Sequence, residues 1–277
     1  MVTTVTFTPA LAGASAITLH SSSTRQLTKI DGLVGTPSVR SVQRALPGRD
    51  GVSDDSRYLD SRNIVLEGEL WGATGGAALE DLSLITSAFQ TTLLSPGVLT
   101  VTYENGTVRW TSVKLAGAID SSVEGASRLV SYQVQLVAPD PRWYSTTLNT
   151  SVATVSTSSG TSSAMTATNG GTAPSLPRFT FGSSFDLVYL GVTVPSAYST
   201  ISPQGSPIVL GGSGLISVTS TSFIDCALRT VGFSSGALDT ASLFPVLYPG
   251  ASTWTQSSAG TAGVARNVTM SWYNAWW

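Results

Sequence analysis

Apolar and polar residues alternate with a period of two along much of the first half of the chain, a pattern that predicts β-strands. The clearest case is the segment 63–71, in which three apolar side chains share one face: Ile64, Leu66 and Leu70. Glu67 and Glu69 point to the opposite face. This segment is therefore expected to be a strand with one buried face and one polar face.

The same alternation predicts a hairpin and one further strand before residue 142. The runs 98–103 and 107–110 flank Glu104-Asn105-Gly106, and Asn-Gly between two such runs is typical of a tight β-turn. The segment 128–137 alternates in the same way and stops at Pro139-Asp140-Pro141, because proline has no N–H to donate to a neighbouring strand. The first half is therefore expected to be mostly sheet.

One segment has the spacing of a helix. Between residues 77 and 94 the apolar positions recur every three or four residues: Leu79, Leu82, Ile85, Ala88, Phe89 and Leu93. Glycines precede the segment and Ser95-Pro96-Gly97 ends it, while Glu80 and Asp81 fit a first turn, where the helix dipole favours negative charge. We expect the apolar stripe of this helix to pack on the sheet.

The composition changes after Tyr144, which predicts a boundary near residue 148 and two domains, 1–148 and 149–277. The Ser- and Thr-rich segment 145–166 is either a flexible linker or a polar strand. Beyond it, short apolar runs alternate with Gly, Ser and Pro clusters, at 176–181, 186–194, 207–210, 214–219, 223–231 and 264–276. Such spacing favours a β-sandwich or jelly roll.

Composition narrows the possible functions. The chain has 277 residues, 11% of them charged, and a net charge of −2, so it lacks the basic surface that nucleic-acid binding requires. Its 42% hydrophobic residues are too many for a disordered protein. No apolar stretch approaches the length of a membrane span, and no basic-then-apolar leader opens the chain. We expect a soluble globular protein without an export signal and without membrane contact.

Candidate catalytic chemistry is sparse. His20 is the only histidine and Cys226 the only cysteine, so neither a zinc site nor a histidine-based triad has enough partners. Cys226 is expected to be a small buried hydrophobic residue. Glu67 and Glu69 could be the paired acids of a glycosidase, but a solvated or interface-facing sheet surface is the simpler interpretation. We predict no catalytic residue, no metal site and no cofactor.

The segment 40–62 has the highest density of charge. It contains five arginines and four aspartates: Arg40, Arg44, Arg49, Arg57, Arg62, Asp50, Asp54, Asp55 and Asp60. The spacing of the four aspartates does not match an EF-hand loop, which argues against a calcium site. The segment lacks apolar periodicity and is expected to be an exposed loop, either solvated or acting as an arm between subunits.

Nine residues are the resulting candidates for a subunit interface: Arg44, Arg49, Asp54, Asp55, Arg57, Asp60, Arg62, Glu67 and Glu69. If they form one, Arg57→Glu or Arg62→Glu should weaken assembly and leave the monomer folded.

Several motifs, in order, resemble a known family. Residues 62–70 follow a Gly-containing arm, residues 132–144 read YQVQLVAPDPRWY, and residues 169–177 read NGGTAPSLP. Residues 247–250 (LYPG) and 268–276 (VTMSWYNAW) complete the set. Together they resemble the distal tail proteins (Dit) of long-tailed bacteriophages over nearly the whole chain.

The resemblance implies a mainly β protein with an N-terminal belt domain, made of β-sheets plus one helix, and a C-terminal galectin-like β-sandwich. It further implies a structural, non-enzymatic role in the virion, at the tail tip, after synthesis in the host bacterial cytoplasm. By the family's pattern, six copies of the chain would form a ring that joins the tail tube protein to the tail-tip hub protein. The ring would leave a channel for the tape measure protein and for DNA, which passes without being specifically bound.

A glycan-binding module involved in host adsorption is the alternative function. It is suggested by the second β-domain and by four tryptophans that could stack on sugar rings: Trp254, Trp272, Trp276 and Trp277. Because Trp272 and Trp276 alternate with Tyr273 and Trp277 along a strand, at least one of these two sets is expected to be buried.

Overall fold

The computed structural model divides the chain into two compact units, Met1–Tyr144 together with Trp277, and Ser145–Trp276. It describes residues 1–11, 14–20, 24–45, 52–123, 128–155, 162–182, 185–193, 208–209, 216–218, 222–232, 244, 246–259 and 266–277, in some strands by the backbone alone. The division falls close to the boundary expected near residue 148. Belt and galectin-like identities for the two units stay predictions.

The first unit contains ten strands and the only α-helix among the described residues. The elements are β1 (Val2–Thr8), β2 (Ile17–His20), β3 (Arg25–Asp31), β4 (Val39–Ala45), β5 (Val52–Leu59), β6 (Arg62–Trp71), α1 (Gly75–Gln90), a short 3₁₀ turn (Thr91–Leu93), β7 (Gly97–Tyr103), β8 (Val108–Leu115), β9 (Asp120–Val123) and β10 (Leu129–Ala138). An antiparallel sheet runs in the order β2-β1-β7-β8-β10-β6-β3, with β9 also paired to β10. The mainly β first half is confirmed.

The core of this unit contains the alternate apolar residues that the period-two pattern predicted to be buried. In β6 the three apolar side chains are fully buried, and in β10 the alternate residues Val130, Tyr132, Val134 and Leu136 are buried with them. The two strands pair over their whole length, from Leu129 opposite Trp71 to Ala138 opposite Arg62. The hairpin of β7 and β8 also forms, with Gly106 at φ +77° in its turn.

The helix forms, but it begins two residues earlier than predicted. Thr74 caps it, because the Thr74 side chain accepts a hydrogen bond from the Ala77 N–H at 3.2 Å, so Glu80 and Asp81 lie beyond the first turn. Ile85 and Phe89 are buried against the sheet, and Phe89 stacks on Phe7 with ring centroids 4.2 Å apart.

The apolar stripe of the helix is shorter than predicted. Leu79 is 46% exposed and Leu93 is 71% exposed, so neither belongs to the buried face. Leu93 lies in the 3₁₀ turn, where the tighter winding moves its side chain off the helical stripe.

The interpretation of 40–62 as a loop was wrong. Residues Val39–Ala45 and Val52–Leu59 form β4 and β5, which pair with each other as an antiparallel hairpin separate from the main sheet. A bulge between Ser41 and Gln43 interrupts the pairing. Because alternation is disturbed at the bulge and both strands carry charged residues, the pattern of apolar positions gave no signal for them.

Gly68 leaves the space that the ring of Tyr132 occupies on the neighbouring strand. A Cβ at position 68 would lie 2.8 Å from Tyr132 Cζ and 2.8 Å from the carbonyl oxygen of Gln26. Gly68→Ala is therefore expected to lower the free energy of unfolding by about 1–3 kcal/mol, measured by urea denaturation. Gly117→Ala is the matched control, since a Cβ there meets no atom within 4 Å. Equal unfolding midpoints for the two variants would contradict this account of the packing.

The second unit is made of strands in its described residues. They are β11 (Trp143–Val155), β12 (Ser162–Asn169), β13 (Arg178–Phe181), β14 (Phe185–Thr193), β15 (Ile208–Val209), β16 (Ile216–Val218), β17 (Phe223–Asp225), β18 (Thr230–Val231), β19 (Gly250–Ala259) and β20 (Arg266–Trp276). One set of strands is ordered β18-β17-β13-β20-β11 and the other β12-β19-β14-β15, with β16 also paired to β14. The segment 145–166 therefore contains strands, which favours the polar-strand alternative.

A shared core joins the two sets of strands in this unit. Trp254 of β19 packs against Phe179 of β13 with ring centroids 5.2 Å apart, and Met165, Met270 and Trp272 are buried in the same cluster. Side chains from both sets thus fill one interior, which is the arrangement of a β-sandwich.

Candidate functional site

Arg62 is buried and cannot serve as the exposed interface residue that the sequence suggested. Its side chain is the first of β6 and is only 3% exposed. Its Nε donates a hydrogen bond to the Pro141 carbonyl at 2.7 Å, and its two Nη atoms donate to the carbonyls of Gly32 and Gly35, each at 2.9 Å. Burial lowers the pKa of Arg62 from its usual value. Because of this burial, we now expect Arg62→Glu to destabilise the monomer itself.

The Pro139-Asp140-Pro141 motif forms the corner after β10. Asp140 Oδ1 accepts hydrogen bonds from the backbone N–H of Arg142 at 3.2 Å and from its Nε at 2.7 Å, and Oδ2 accepts one from the Tyr144 hydroxyl at 2.6 Å. Burial, followed by the charge of Asp140, raises the pKa of Tyr144. Because the Pro141 carbonyl also binds Arg62, this motif is a structural joint within the first unit.

Glu67 and Glu69 lie on the polar face of β6, as predicted, and both are half-buried. Glu67 lies 3.5 Å from Lys29 Nζ and accepts a hydrogen bond from Gln133 Nε2 at 3.1 Å. The two glutamates and Asp120 line an open hollow of about 410 Å³ on the sheet face. With Glu67 held by Lys29 and Gln133, the geometry favours a polar surface over a pair of catalytic acids.

Of the remaining interface candidates, only Asp60 has a described side chain. Asp60 is exposed, and its Oδ1 accepts a hydrogen bond from the Ser61 N–H at 2.8 Å. Arg49 lies outside the described residues, and the side chains of the other four lie outside the described part of the structure: Arg44, Asp54, Asp55 and Arg57. Their role at an interface stays a prediction.

The single histidine and the single cysteine have ordinary structural surroundings. His20 Nδ1 accepts a hydrogen bond from the Leu27 N–H at 3.1 Å. Cys226 is 2% exposed within the core of the second unit, and burial raises the pKa of its thiol, as expected for a small buried hydrophobic residue. Among the described residues, no group of three His, Cys, Asp or Glu side chains could hold a metal ion.

The tryptophans divide between core and surface. Trp254 is 1% exposed and Trp272 is 5% exposed, so neither can stack on a sugar ring, whereas Trp276 and Trp277 are half-buried. Burial in β20 follows period two through Trp272 and then shifts by one, to Ala275. The glycan-binding alternative therefore loses two of the four side chains that suggested it.

The NGGTAPSLP motif is also a structural joint, in the second unit. The Asn169 amide nitrogen donates hydrogen bonds to the carbonyls of Ala173 and Leu247, at 2.8 and 3.1 Å. Its Oδ1 accepts hydrogen bonds from the N–H groups of Gly171 and Ala275, at 3.0 and 3.3 Å. Gly171 approaches Ala275 so closely that a Cβ at position 171 would lie 1.8 Å from the Ala275 carbonyl oxygen.

One surface was missed by sequence reasoning, a groove beside the start of α1. It occupies about 570 Å³, and Trp71 and Leu84 on its lining are 47% and 57% exposed. Arg25 and Asp81 form a bidentate ion pair within it, with Arg25 Nε 2.7 Å from Asp81 Oδ2. The sequence pattern places Trp71 at the end of a strand, and Leu84 lies off the predicted apolar stripe. A helical-wheel search for apolar residues outside that stripe would have found Leu84.

Comparison with known proteins was informative only for structure. No family model matches the chain, and no curated protein matches it either. Among solved structures, the Dit protein (gp 19.1) of phage SPP1 matches with a TM-score of 0.62 and 13% identity, covering 96% of this chain and 98% of that one. That protein is described as a paradigm of the hub adsorption apparatus in phages that infect Gram-positive bacteria. This chain has the fold of a phage distal tail protein.

The Dit-like fold extends over both units, because the match covers nearly the whole of each chain. Two structures of the phage P2 baseplate in its activated conformation also match. The structure with Ca has a TM-score of 0.48 and 10% identity, and the structure with Sr has a TM-score of 0.47 and 10% identity. The match to the structure with Ca covers 98% of this chain and 98% of that chain. The match to the structure with Sr covers 96% of this chain and 97% of that chain. The resemblance noticed in the sequence is confirmed at the level of the fold.

None of the helices formed by described residues is long and apolar enough to span a membrane.

Proposed function

We propose that this chain is a structural protein of a bacteriophage tail tip. Its copies form a ring, by the family pattern a hexamer, that joins the tail tube protein to the tail-tip hub protein. The centre of the ring is a channel for the tape measure protein and then for DNA. The protein is made in the cytoplasm of the host bacterium and becomes part of the virion tail.

The observation that supports this proposal is the Dit-like fold over 96% of the chain, in a sequence whose motifs resemble that family in the same order. Two of those motifs are joints that fix the fold, around Arg62 and around Asn169. Both motifs that carry the resemblance thus have a structural role, which agrees with a structural function for the chain. The proposal assigns no catalysis, cofactor or metal to the chain.

The charge of the chain is compatible with a channel through which DNA passes. A wall that carried clustered lysines and arginines would bind phosphates and retain the genome. Here the net charge is −2, and the polar face of the main sheet carries Glu67 and Glu69 beside Lys29. DNA is therefore expected to pass without specific binding.

The ring predicts a definite mass and shape in solution. Six copies of 28.7 kDa have a mass of about 172 kDa, and we expect light scattering to give this value for the purified chain. Negative-stain images of the same peak should show an annulus with an open centre. A chain that remained a 28.7 kDa monomer at every concentration tested would contradict a self-assembling ring.

A further inference from the structure

The turn between α1 and β7 presents two consecutive leucines to solvent. Leu93 is 71% exposed and Leu94 is 83% exposed. In the part of the chain that the structure describes, no other two consecutive large apolar side chains are both exposed. We define the leucine tip by these two residues. Exposed apolar side chains that are grouped mark interaction sites, because burying them against a partner removes apolar surface from water.

The leucine tip is held in place at both of its ends. Thr92 is 1% exposed, and its Oγ1 donates a hydrogen bond to the Phe89 carbonyl at 2.7 Å and accepts one from the Leu115 N–H at 2.9 Å. On the other side, Gly97 lies so close to Phe7 that a Cβ at position 97 would clash with the Phe7 ring. A tip that is fixed in this way loses little conformational freedom on binding, which favours tight docking.

The α1 groove is a concave surface near the opposite end of the same helix. We define it by Gly72 and by three residues of α1: Ala77, Glu80 and Leu84. Their spacing of three and four residues places the three side chains next to one another on one flank of the helix. The small residues Gly72 and Ala77 leave a hollow of about 570 Å³, and Leu84 is 57% exposed beside it. This surface can therefore receive apolar side chains of a partner.

The charges around the α1 groove cancel, which favours an uncharged occupant. Arg25 and Asp81 form an ion pair with each other. Glu80 is exposed on the groove, and Arg128 is an exposed cation next to it, because the Arg128 carbonyl accepts a hydrogen bond from the N–H of the groove glycine at 3.0 Å. A charged occupant would leave one charge unmatched at the contact, at a cost in free energy. The leucine tip matches the groove, since the segment 82–103 that contains it has no charged residue.

The leucine tip cannot reach the α1 groove of its own chain. The helix continues without a break from Leu84 to its end at Gln90, and the 3₁₀ turn follows it directly. At the helical rise of 1.5 Å per residue, Leu84 and Leu94 are separated by about 15 Å along the axis, and Ala77 lies farther away. Both surfaces belong to the first unit. Only another molecule can therefore bring a leucine tip to an α1 groove.

We propose that the leucine tip of one copy docks in the α1 groove of the next copy. Leu93 and Leu94 fill the hollow beside Leu84 and Ala77, and Glu80 stays at the rim in contact with water. The contact is head-to-tail, since it joins two different surfaces of the chain, and repetition of such a contact produces a ring when its rotation closes. This inference rests on the proposed ring and specifies two surfaces that form it.

A disulfide cross-link tests the docking directly. The variant with Leu84→Cys and Leu94→Cys in one chain is oxidised mildly and run on a non-reducing gel. The Cα atoms of a disulfide are less than about 7 Å apart, so these two positions cannot be linked within one chain. We expect a ladder of covalent oligomers that ends in one closed species. Cys226 does not compete, because it is 2% exposed.

The matched control for the cross-link carries Leu79→Cys and Leu94→Cys. Leu79 belongs to the same helix and is 46% exposed, but it does not line the groove. We therefore expect this variant to give no ladder.

Light scattering over a dilution series measures the strength of the contact. It gives the concentration at which half of the chain is assembled. We expect Leu84→Gln and Leu94→Gln each to raise that concentration at least about tenfold, because each places a polar amide in an apolar contact. Leu79→Gln makes the same change on the other flank of the helix and should leave the concentration unchanged. Circular dichroism melting of every variant checks that each one is folded.

The possible outcomes separate this inference from the proposed function. Wild-type rings together with absent cross-links and unchanged assembly of Leu84→Gln and Leu94→Gln would overturn the docking and leave the ring standing. Weakened assembly of Leu94→Gln without a cross-link to position 84, or an equal ladder from the Leu79 control, would overturn the α1 groove as the site of the tip. A specific cross-link in a chain that otherwise remains a monomer would support the docking and contradict a self-assembling ring. A chain that neither assembles nor cross-links would overturn both.

Discussion

Arg62→Ala is expected to lower the free energy of unfolding by about 3 kcal/mol. The substitution removes three charge-assisted hydrogen bonds and leaves the carbonyls of Gly32, Gly35 and Pro141 without their donor. These carbonyls belong to two segments far apart in sequence, and Arg62 holds both against the start of β6. Urea denaturation measures the loss, and hydrogen exchange of the β6 and β10 amides shows whether it is located in the first unit.

Two further variants make the Arg62 prediction specific. Arg62→Lys keeps the positive charge, but a single ammonium lacks the planar fork that binds three carbonyls at once, so we expect it to recover only part of the stability. Arg40→Ala removes an exposed arginine from the hairpin and should change the unfolding free energy by less than about 0.5 kcal/mol. If Arg62→Ala unfolded at the same urea concentration as Arg40→Ala, the joint around Arg62 would have no energetic role.

The strands that the sequence predicted are those whose buried faces carry large apolar side chains. Four alternate apolar residues identify β10, and three identify β6, because burying such side chains dominates the energy of strand placement. By contrast, among the side chains that the structure describes, β12 buries Met165, Ala167 and Asn169 and β19 buries Ser252 and Trp254, so neither strand has a run of alternating large apolar residues. Their pairing rests on the backbone ladder, which leaves no hydrophobic pattern to detect.

The candidate site was predictable only in part for a related reason. Charge and position in the sequence suggested Arg62 as an interface residue, but its burial depends on carbonyls contributed by residues 27, 30 and 79 positions away. Only the fold brings those groups together. Glu67 and Glu69, whose placement follows from alternation along a single strand, lie on the polar face as expected. Local periodicity thus predicts which face a residue occupies, and not which distant partner it meets.

The second large effect is expected at Asn169, where the side-chain amide uses all of its hydrogen-bonding capacity. It donates twice and accepts twice, and every partner is a backbone group. Asn169→Ala removes four hydrogen bonds from a buried position, and only the Leu247 carbonyl keeps a second donor, the Ser175 N–H, so we expect a cost of about 3 kcal/mol. Hydrogen exchange should accelerate in β20, because the Ala275 N–H loses its acceptor. Asn267→Ala, at an exposed position of the same strand, is the matched control.

Asn169→Asp removes the two N–H donors of the side chain but keeps a side chain of the same size, so it tests the contribution of the donors alone. The aspartate retains both acceptors but points negative charge at the carbonyls of Ala173 and Leu247, so burial and repulsion raise its pKa in the folded state. The folded chain then binds more protons than the unfolded chain, and stability falls as the pH rises. We therefore expect the loss relative to wild type to be larger at pH 7 than at pH 5, whereas the loss for Asn169→Ala should be the same at both. Equal losses for the aspartate at the two pH values would show that the amide donors at position 169 do not hold this joint, and that the close approach of Gly171 to Ala275 maintains it alone.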